Sequence, residues 1–280
     1  MKLAEIIKQT GEQEAVIQTL CWLLHADRTT VFLYKDFPED VVQKTMKVIN
    51  KYKKGTPLAY LLGSCYFYNR KFFVNKNVLV PRPDTEILVE RAEKKIIYDM
   101  VSRKGKSSYR VLDLCCGSGA IGVSLACLCD WLAKKHKQHD FKVVLADISR
   151  DALSVAGANA MAQNVSVELV ETDLFENVNG LFDLVVCNPP YVKTAEIGVE
   201  DKWTLKEPRI ALDGGLDGLY FYRRILDDID DILHPWGTIM FEIGESQADA
   251  VIQIAEDYGF HDITVHKDLA NRDRVVTIRM

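Results

Sequence analysis

Short apolar runs alternate with helical segments from Tyr109 to the end of the chain, and this alternation restricts the fold more than any other feature. The runs cover residues 110–116, 142–147, 165–170, 183–187, 238–242, 263–265 and 274–279. Such alternation is typical of an α/β fold with helices on both faces of a parallel sheet. Too few residues separate the last two runs for a crossover helix, so we expect them to pair antiparallel. The pattern predicts a doubly wound, mostly parallel sheet with one antiparallel strand.

The fourth run ends in the tetrapeptide Asn188-Pro189-Pro190-Tyr191. Its two prolines lack backbone N–H donors, so the chain must leave the sheet at this point. The polar amide of Asn188 therefore lies at the carboxyl end of a buried strand. In open α/β sheets this edge binds ligands. The tetrapeptide is thus expected to lie in the functional site.

A glycine pattern follows the first run, with Gly117, Gly119 and Gly122 in the spacing G-x-G-x-x-G. Glycines let the backbone pass close to a bound nucleotide-like ligand, but they do not say which ligand it is. Asp147, at the end of the second run, is placed to accept a hydrogen bond from a ribose hydroxyl. Both NAD and S-adenosylmethionine contain such a ribose.

Two further acids favour S-adenosylmethionine over NAD. Asp113 lies inside the first run, where it can meet an ammonium group directly or through water, and Asp173 follows the third run, where it can accept from an adenine amine. Acids at three strand ends suit a sulfonium cofactor, whereas a pyrophosphate prefers hydrogen-bond donors. A single Asp at a strand end is more often a loop cap. The ordered set, together with the glycine loop, predicts the sulfonium cofactor.

The N-terminal part differs from the rest in both pattern and charge. Residues 1–75 have helical periodicity, and they carry 11 Lys and Arg against 7 Asp and Glu, a charge of +4 within a chain of net charge −5. We predict a helical substrate-recognition domain at 1–75, a connecting segment at 76–108 and the α/β domain at 109–280. The basic segment suits an acidic partner or RNA, although a solvated helical surface accounts for it equally well.

The segment between these two parts is rich in aromatic residues and proline. Residues 66–68 and 72–74 predict a hairpin that turns at Asn69 and Arg70, and Pro81-Arg82-Pro83 predicts an extended stretch before a helix that begins near Thr85. This stretch is either a wall of the substrate groove or a rigid interdomain linker. The polar residues of 94–110 predict a surface loop.

Composition excludes several classes of protein. The chain of 280 residues has no apolar run near the ~20 residues of a membrane span and no signal-peptide core at its N-terminus. Its seven cysteines are scattered and its six histidines have no ligand-spaced partners, so we expect free thiols, no metal site and a cytoplasmic location. A net charge of −5 argues weakly against a protein that mainly binds nucleic acid.

The motifs resemble those of a known family. Residues 113–119 resemble motif I of class I S-adenosylmethionine methyltransferases, and 188–191 resemble their amino-methylating motif IV, which occurs in enzymes that methylate adenine, guanine or glutamine nitrogen. Residues 57–63, 78–86, 207–218, 241–244 and 273–276 are similar to stretches of the HemK/PrmC family, the protein-(glutamine-N5) methyltransferases of peptide chain release factors. One departure is Cys115-Cys116, where that family more often has Gly or Cys followed by Thr.

The resemblance implies a class I methyltransferase fold, with a seven-stranded sheet and a small N-terminal helical domain, and S-adenosyl-L-methionine as cofactor. The residues implied to bind the cofactor are Asp113, Cys115, Cys116, Gly117, Ser118, Gly119, Asp147, Ile148, Asp173, Leu174 and Asn188. Those implied to bind the substrate are Pro81, Arg82, Asn188, Pro189, Pro190 and Tyr191. In the implied mechanism the Asn188 side-chain oxygen and the Pro189 carbonyl accept the two hydrogens of the substrate amide, and Tyr191 packs against it.

The implied partner is a peptide chain release factor methylated at its Gly-Gly-Gln motif, with no membrane and no direct nucleic-acid substrate. Three rival functions stay open. A nucleic-acid amino-methyltransferase would carry a basic groove, whereas residues 76–280 have a net charge of −9. A glutamine methyltransferase of a ribosomal protein would share the same motifs. A cofactor-binding module without activity would have a broken Asn-Pro-Pro-Tyr. A dehydrogenase would share only the glycines.

Overall fold

In the computed structural model, which describes residues 1–102, 108–136, 140–199 and 203–280, the chain begins with five helices. They are α1 (Leu3–Thr10), α2 (Gln13–Leu24), α3 (Arg28–Leu33), α4 (Glu39–Lys53) and α5 (Leu58–Leu62). Their apolar faces meet in a separate cluster that includes the fully buried Ile6, Leu20 and Ile49. The helical character expected of the N-terminal part is therefore confirmed.

A two-stranded hairpin follows these helices. Strands β1 (Ser64–Phe67) and β2 (Arg70–Phe73) pair antiparallel through a turn at Tyr68 and Asn69, both of which have positive φ, as the favoured two-residue hairpin turn requires. Phe67 and Phe72 are buried in the cluster that covers one face of the large sheet. The hairpin therefore packs on the α/β part of the chain, and the boundaries at 75 and 108 stay predictions.

Helix α6 (Glu86–Ser102) begins after a 3-10 turn at Pro83–Thr85. The loop predicted for 94–110 is wrong at both ends, because the helix continues to Ser102 and a strand begins at Ser108. Ile96 is fully buried, and the Lys95 ammonium lies 2.6 Å from the Asp99 carboxylate one turn away. The Lys95–Asp99 pair is itself largely buried, so these polar residues belong to a packed helix. Residues 103–107 lie outside the described part.

The large sheet has seven strands. They are β3 (Ser108–Leu114), β4 (Asp140–Asp147), β5 (Glu168–Glu171), β6 (Phe182–Cys187), β7 (Leu233–Glu242), β8 (Asp262–Lys267) and β9 (Asp273–Arg279), in the spatial order β5-β4-β3-β6-β7-β9-β8. All pairs are parallel except those of β9, which runs antiparallel to both β7 and β8. The predicted fold class is confirmed.

Four more helices cover this sheet, α7 (Ala120–Lys135), α8 (Arg150–Ala162), α9 (Tyr220–Asp228) and α10 (Ala248–Asp257). Helices α6, α7 and α8 pack on one face and α9 and α10 on the other, each side with its own buried cluster. Strand β5 begins later than the predicted run at 165, because the Val165 N–H bonds back to the Ala160 carbonyl and closes helix α8.

The strand order fixes where a ligand can bind. From β3 the chain goes outward to β4 and β5, and it then returns to β6 on the other side of β3. The crevice between the carboxyl ends of β3 and β6 is therefore the topological switch point of the sheet. Leu114 of β3 pairs with Cys187 of β6 there. The glycine loop and Asn188 consequently begin side by side, although they are far apart in sequence.

Candidate active site

A cavity of about 210 Å³ lies at the switch point. Twelve of the predicted site residues line it: Pro81, Arg82, Cys115, Cys116, Gly117, Ser118, Asp147, Ile148, Asp173, Leu174, Asn188 and Pro190. Four do not: Asp113, Gly119, Pro189 and Tyr191 lie behind its wall or beside it. The structure thus brings both predicted sets of residues to one place.

Asp147 holds the glycine loop against the second strand of the site. One carboxylate oxygen accepts the Gly117 N–H at 2.8 Å, and the other accepts the Ser149 N–H at 2.9 Å. Burial raises the pKa of Asp147, and these two backbone donors oppose that effect. Each carboxylate oxygen can accept a second hydrogen bond. Asp147 therefore both shapes the loop and can receive a hydroxyl from a ligand in the cavity.

Asp113 lies fully buried behind the cavity wall. Its Oδ2 accepts the Gly122 N–H at 2.7 Å, and its Oδ1 has no hydrogen-bond partner. Burial, with a smaller contribution from the nearby Asp147 carboxylate, raises the pKa of Asp113 to about 8. The predicted contact of Asp113 with a cofactor ammonium stays a prediction, and Oδ1 is the atom available for it.

The packing around Gly122 explains why the third position of the glycine pattern is glycine. A Cβ at this position would lie 2.1 Å from Cδ2 of Leu145 and 2.8 Å from Cβ of Asp113. Helix α7 therefore packs on β3 and β4 more closely than any side chain allows. This packing brings the Gly122 N–H within reach of Asp113.

We expect Gly122→Ala to lower the free energy of unfolding by roughly 1–3 kcal/mol, because the added methyl group overpacks a rigid part of the core. Chemical denaturation of both proteins checks this. Gly157→Ala in helix α8 is the matched control, because its Cβ would meet only the Leu169 side chain at 3.0 Å and a helix interior favours Ala. Equal stability of the wild type and Gly122→Ala would contradict this account of the packing.

Two residues in the cavity wall have a backbone conformation that is unusual for their type. Cys115, after β3, has a φ of 58°, and Leu174, after β5, has a φ of 48°. Non-glycine residues rarely adopt this left-handed region, and such residues concentrate at binding sites. Burial raises the pKa of the neighbouring Cys116 thiol well above its usual value, which disfavours a reactive thiolate.

Arg224 was missed by the sequence analysis, since it belongs to α9 on a distant part of the chain. Its guanidinium lies 3.0 Å from the Asp173 carboxylate and lines the cavity. Hydrogen bonding to Asp173 raises the pKa of Arg224. The ion pair thus orients the acid that was expected to accept from an adenine amine.

Asn188 and Tyr191 are held by residues from other elements. Nδ2 of Asn188 donates to Oγ1 of Thr85 at 3.5 Å, and the Tyr191 hydroxyl donates to Oε1 of Glu242 at 3.2 Å. Burial and the Glu242 carboxylate raise the pKa of Tyr191. Thr85 and Glu242 belong to the stretches 78–86 and 241–244, which resemble the HemK/PrmC family. No local sequence pattern predicted that they contribute to the site.

The Pro81-Arg82 segment is fixed by Glu207, whose side chain is fully buried. Its carboxylate accepts the Val80 N–H at 3.1 Å and the Arg82 guanidinium at 2.5 Å. Both Pro81 and Arg82 line the cavity. The segment is therefore a wall of the cavity and not merely a connection between domains.

The loop after Glu207 also fixes the backbone of the tetrapeptide. A Cβ on Gly214 would lie 2.7 Å from the Tyr191 Cα, so only glycine allows this approach. Gln247 donates to the Tyr191 carbonyl at 3.1 Å and to the Gly218 carbonyl at 3.2 Å. The tetrapeptide is thus held from both sides.

Comparison with known proteins identifies the family. The family described as Methyltransferase small domain matches residues 85–206. The release factor glutamine methyltransferase of Clostridium acetobutylicum is 37% identical over 99% of this chain and 95% of its own length. The protein of the same name from Thermodesulfovibrio yellowstonii is 37% identical over 94% of this chain and 90% of its own. The chain belongs to the release factor glutamine methyltransferase family.

Solved structures agree on the fold. The 16S rRNA N2 G1207 methyltransferase of T. thermophilus, in complex with AdoMet and guanosine, matches with a TM-score of 0.50 at 15% identity, over 77% of this chain and 49% of that one. At this identity the likeness concerns the fold alone. Among the residues that the structure describes, none of the helices combines the length and the apolar character needed to cross a bilayer.

The residues of the cavity fit S-adenosylmethionine, which this family and fold imply. Asp147 offers a carboxylate for a ribose diol, and the orphaned oxygen of Asp113 suits an ammonium group. The 51% exposed side chain of Ile148, with Leu174, offers an apolar surface for a flat base. The ribose, the ammonium group and the base of the cofactor thus each have a chemically suitable residue in or directly behind the wall.

Proposed function

We propose that this protein transfers a methyl group from S-adenosylmethionine to the side-chain amide nitrogen of the glutamine in the Gly-Gly-Gln motif of class 1 peptide chain release factors. The curated relatives carry that activity in their names, at 37% identity over nearly the whole chain. The observation that carries the proposal is Asn188, whose amide lies at the switch point in the wall of the cavity. An Asn-Pro-Pro-Tyr at that edge suits a planar amide substrate.

An amide nitrogen is a poor nucleophile because its lone pair is delocalised into the carbonyl. It has no proton that an ordinary side-chain base can remove beforehand, so the site must orient and polarise it. In the proposed mechanism the Asn188 side-chain oxygen and the Pro189 carbonyl accept the two amide hydrogens. The two acceptors aim the nitrogen and stabilise the positive charge that develops on it.

When bound, S-adenosylmethionine supplies an electrophilic methyl group on a positively charged sulfur. The chain itself does the positioning. Asp147 would hold the cofactor ribose beside the glycine loop, and Leu114 and Ile121 would give the site an apolar wall. Pro190 and the Pro81 segment line the side from which the glutamine approaches. The proton of the methylated nitrogen leaves to solvent after transfer.

The helical N-terminal part is proposed to bind the release factor outside its Gly-Gly-Gln loop. Residues 1–75 carry the surplus of positive charge, and helices α1 to α5 form a cluster of their own beside the catalytic part. Because release factors act on ribosomes, we infer that the protein works in the cytoplasm.

Mass spectrometry of a bacterial release factor, incubated with the protein and S-adenosylmethionine, tests the function. We expect a gain of one methyl group on the glutamine of Gly-Gly-Gln. Release factor with that glutamine replaced is the matched control, and it should gain none. Methylation of a ribosomal protein or of RNA, with none on the release factor, would reject the proposed substrate in favour of one of the rivals.

A further inference from the structure

Glu242 is a buried acid directly behind the proposed site. It ends strand β7, which pairs with β6 so that Phe241 lies beside Cys187. Glu242 therefore follows β7 at the same sheet edge where Asn188 follows β6, yet it is only 1% exposed and does not line the cavity. Oε1 accepts the Tyr191 hydroxyl, whereas Oε2 has no hydrogen-bond partner. A buried carboxylate is costly, so its position calls for a role.

Thr85 stands between this acid and Asn188. Its hydroxyl is buried at 4% exposure, and its proximity lowers the pKa of Glu242. On its other side Thr85 Oγ1 lies 3.5 Å from Nδ2 of Asn188. A buried hydroxyl has one hydrogen to give and must find an acceptor for it. The orphaned Oε2 of Glu242 is a carboxylate acceptor on the adjoining strand.

A count of protons sets the direction that each hydrogen bond along this chain of groups would have. An ionised carboxylate only accepts, so Thr85 would be the donor of a hydrogen bond to the orphaned Oε2 of Glu242. The Thr85 oxygen can then only accept, and it accepts from the amino end of the Asn188 amide. The oxygen of Asn188 is left free for the substrate. A reversed amide would turn its own N–H groups toward the two hydrogens of the glutamine amide and repel them.

We propose that Glu242 and Thr85 are positioning residues that hold Asn188 with its side-chain oxygen toward the substrate amide. This inference rests on the proposed function. It gives the buried Glu242 carboxylate a function that is separate from its hydrogen bond with Tyr191 and from cofactor binding.

Three substitutions separate this role from a structural one. Glu242→Gln keeps the shape but presents an NH2 group to Thr85, which reverses the bonds along the chain. We expect kcat to fall at least about tenfold, because misorientation of one positioning group has large effects on rate. The substrate KM and the cofactor dissociation constant, measured by calorimetry, should change little. Thr85→Val should reproduce the loss, whereas Thr85→Ser keeps the hydroxyl and should retain most of the activity.

The fold is checked independently. Burial raises the pKa of Glu242 to about 7, so its ionised form lowers stability above that pH and the thermal midpoint of Glu242→Gln there should equal or exceed that of the wild type. Glu245→Gln, three residues further on and exposed, is the matched control and should behave as the wild type. If Glu242→Gln fails to fold, the contrast between Thr85→Val and Thr85→Ser decides. Equal kcat of those two variants would then overturn the inference.

If Glu242 had a purely structural role, the dependence of kcat on pH would not change when it is replaced. This dependence is therefore a further test. Burial raises the pKa of Glu242 to about 7, and the groups that face it are Thr85, Arg274, Tyr191 and Asp84. Ionisation above that pKa makes the carboxylate a pure acceptor, so the wild-type kcat should rise as the pH increases through about 7. Glu242→Gln should lack this rise. An identical profile in both proteins would contradict the role.

The wild type is measured first on the release factor. If it transfers no methyl group, the proposed function fails and the inference falls with it. If the wild type is active and Glu242→Gln has the same kcat and pH profile, only the inference fails.

Discussion

Asn188→Ala is expected to lower kcat on the order of 10²–10³-fold, which is the usual effect of removing one preorganised group that stabilises developing charge. The side-chain oxygen of Asn188 is one of only two acceptors proposed for the substrate amide. Without it the glutamine nitrogen is neither aimed nor polarised. Cofactor affinity should fall much less, because the glycine loop and Asp147, which line the same cavity, are proposed to supply the other contacts.

Single-turnover kinetics on the release factor and calorimetry with S-adenosylmethionine measure the two effects separately. Asn179→Ala is the matched control, because Asn179 is exposed and its side chain donates to the nearby Asn177 carbonyl, outside the cavity. A variant with near-normal turnover would remove Asn188 from the mechanism.

Asp147→Ala is expected to weaken cofactor binding on the order of 10²-fold or more, because hydrogen bonds to a charged group contribute about 1.5–3 kcal/mol each. The substitution removes the acceptor of the proposed ribose contact. It also leaves the N–H groups of Gly117 and Ser149 without the carboxylate that positions them. The loop and the ribose contact are therefore lost together.

Calorimetry of S-adenosylmethionine binding needs no turnover and measures this effect directly. Asp147→Asn keeps one acceptor and should give an intermediate loss, whereas Asp151→Ala, an exposed acid in the same helix–loop region, should bind normally. Because burial raises the pKa of Asp147, wild-type affinity should also fall on acidification at a higher pH than for an exposed aspartate. Unchanged affinity in Asp147→Ala would exclude a ribose contact.

Local sequence patterns predicted the elements of the α/β part well, because hydrophobic periodicity and chain-breaking residues act over a few neighbours. The two prolines after Cys187 end β6 where expected. The last two turns of the helix that ends at Ser102 were missed, because their polar residues resemble those of a loop. The structure shows that Ile96 is buried and that Lys95 pairs with Asp99. Composition alone could not separate a packed helix with buried polar residues from a surface loop.

The sequence predicted those parts of the candidate site that are formed by contiguous motifs. The residues after β3, β4, β5 and β6 line one cavity because the carboxyl ends of parallel strands meet at one edge. Arg224 and Gln247 were not predictable, because each reaches the site from a helix region that carries no recognisable motif. No periodicity or spacing marks such a residue in advance.

The sequence by itself determined the strand–helix alternation, the glycine loop and the polar amide at the end of a buried strand, since these depend on backbone chemistry and near neighbours. The tertiary structure alone decided that Thr85 and Glu242 stand behind Asn188, and that Glu207 fixes the Arg82 segment. Burial and hydrogen-bond direction depend on which distant residues pack together. The state of Glu242 as a buried acid with a pKa of about 7 is therefore a property of the folded chain.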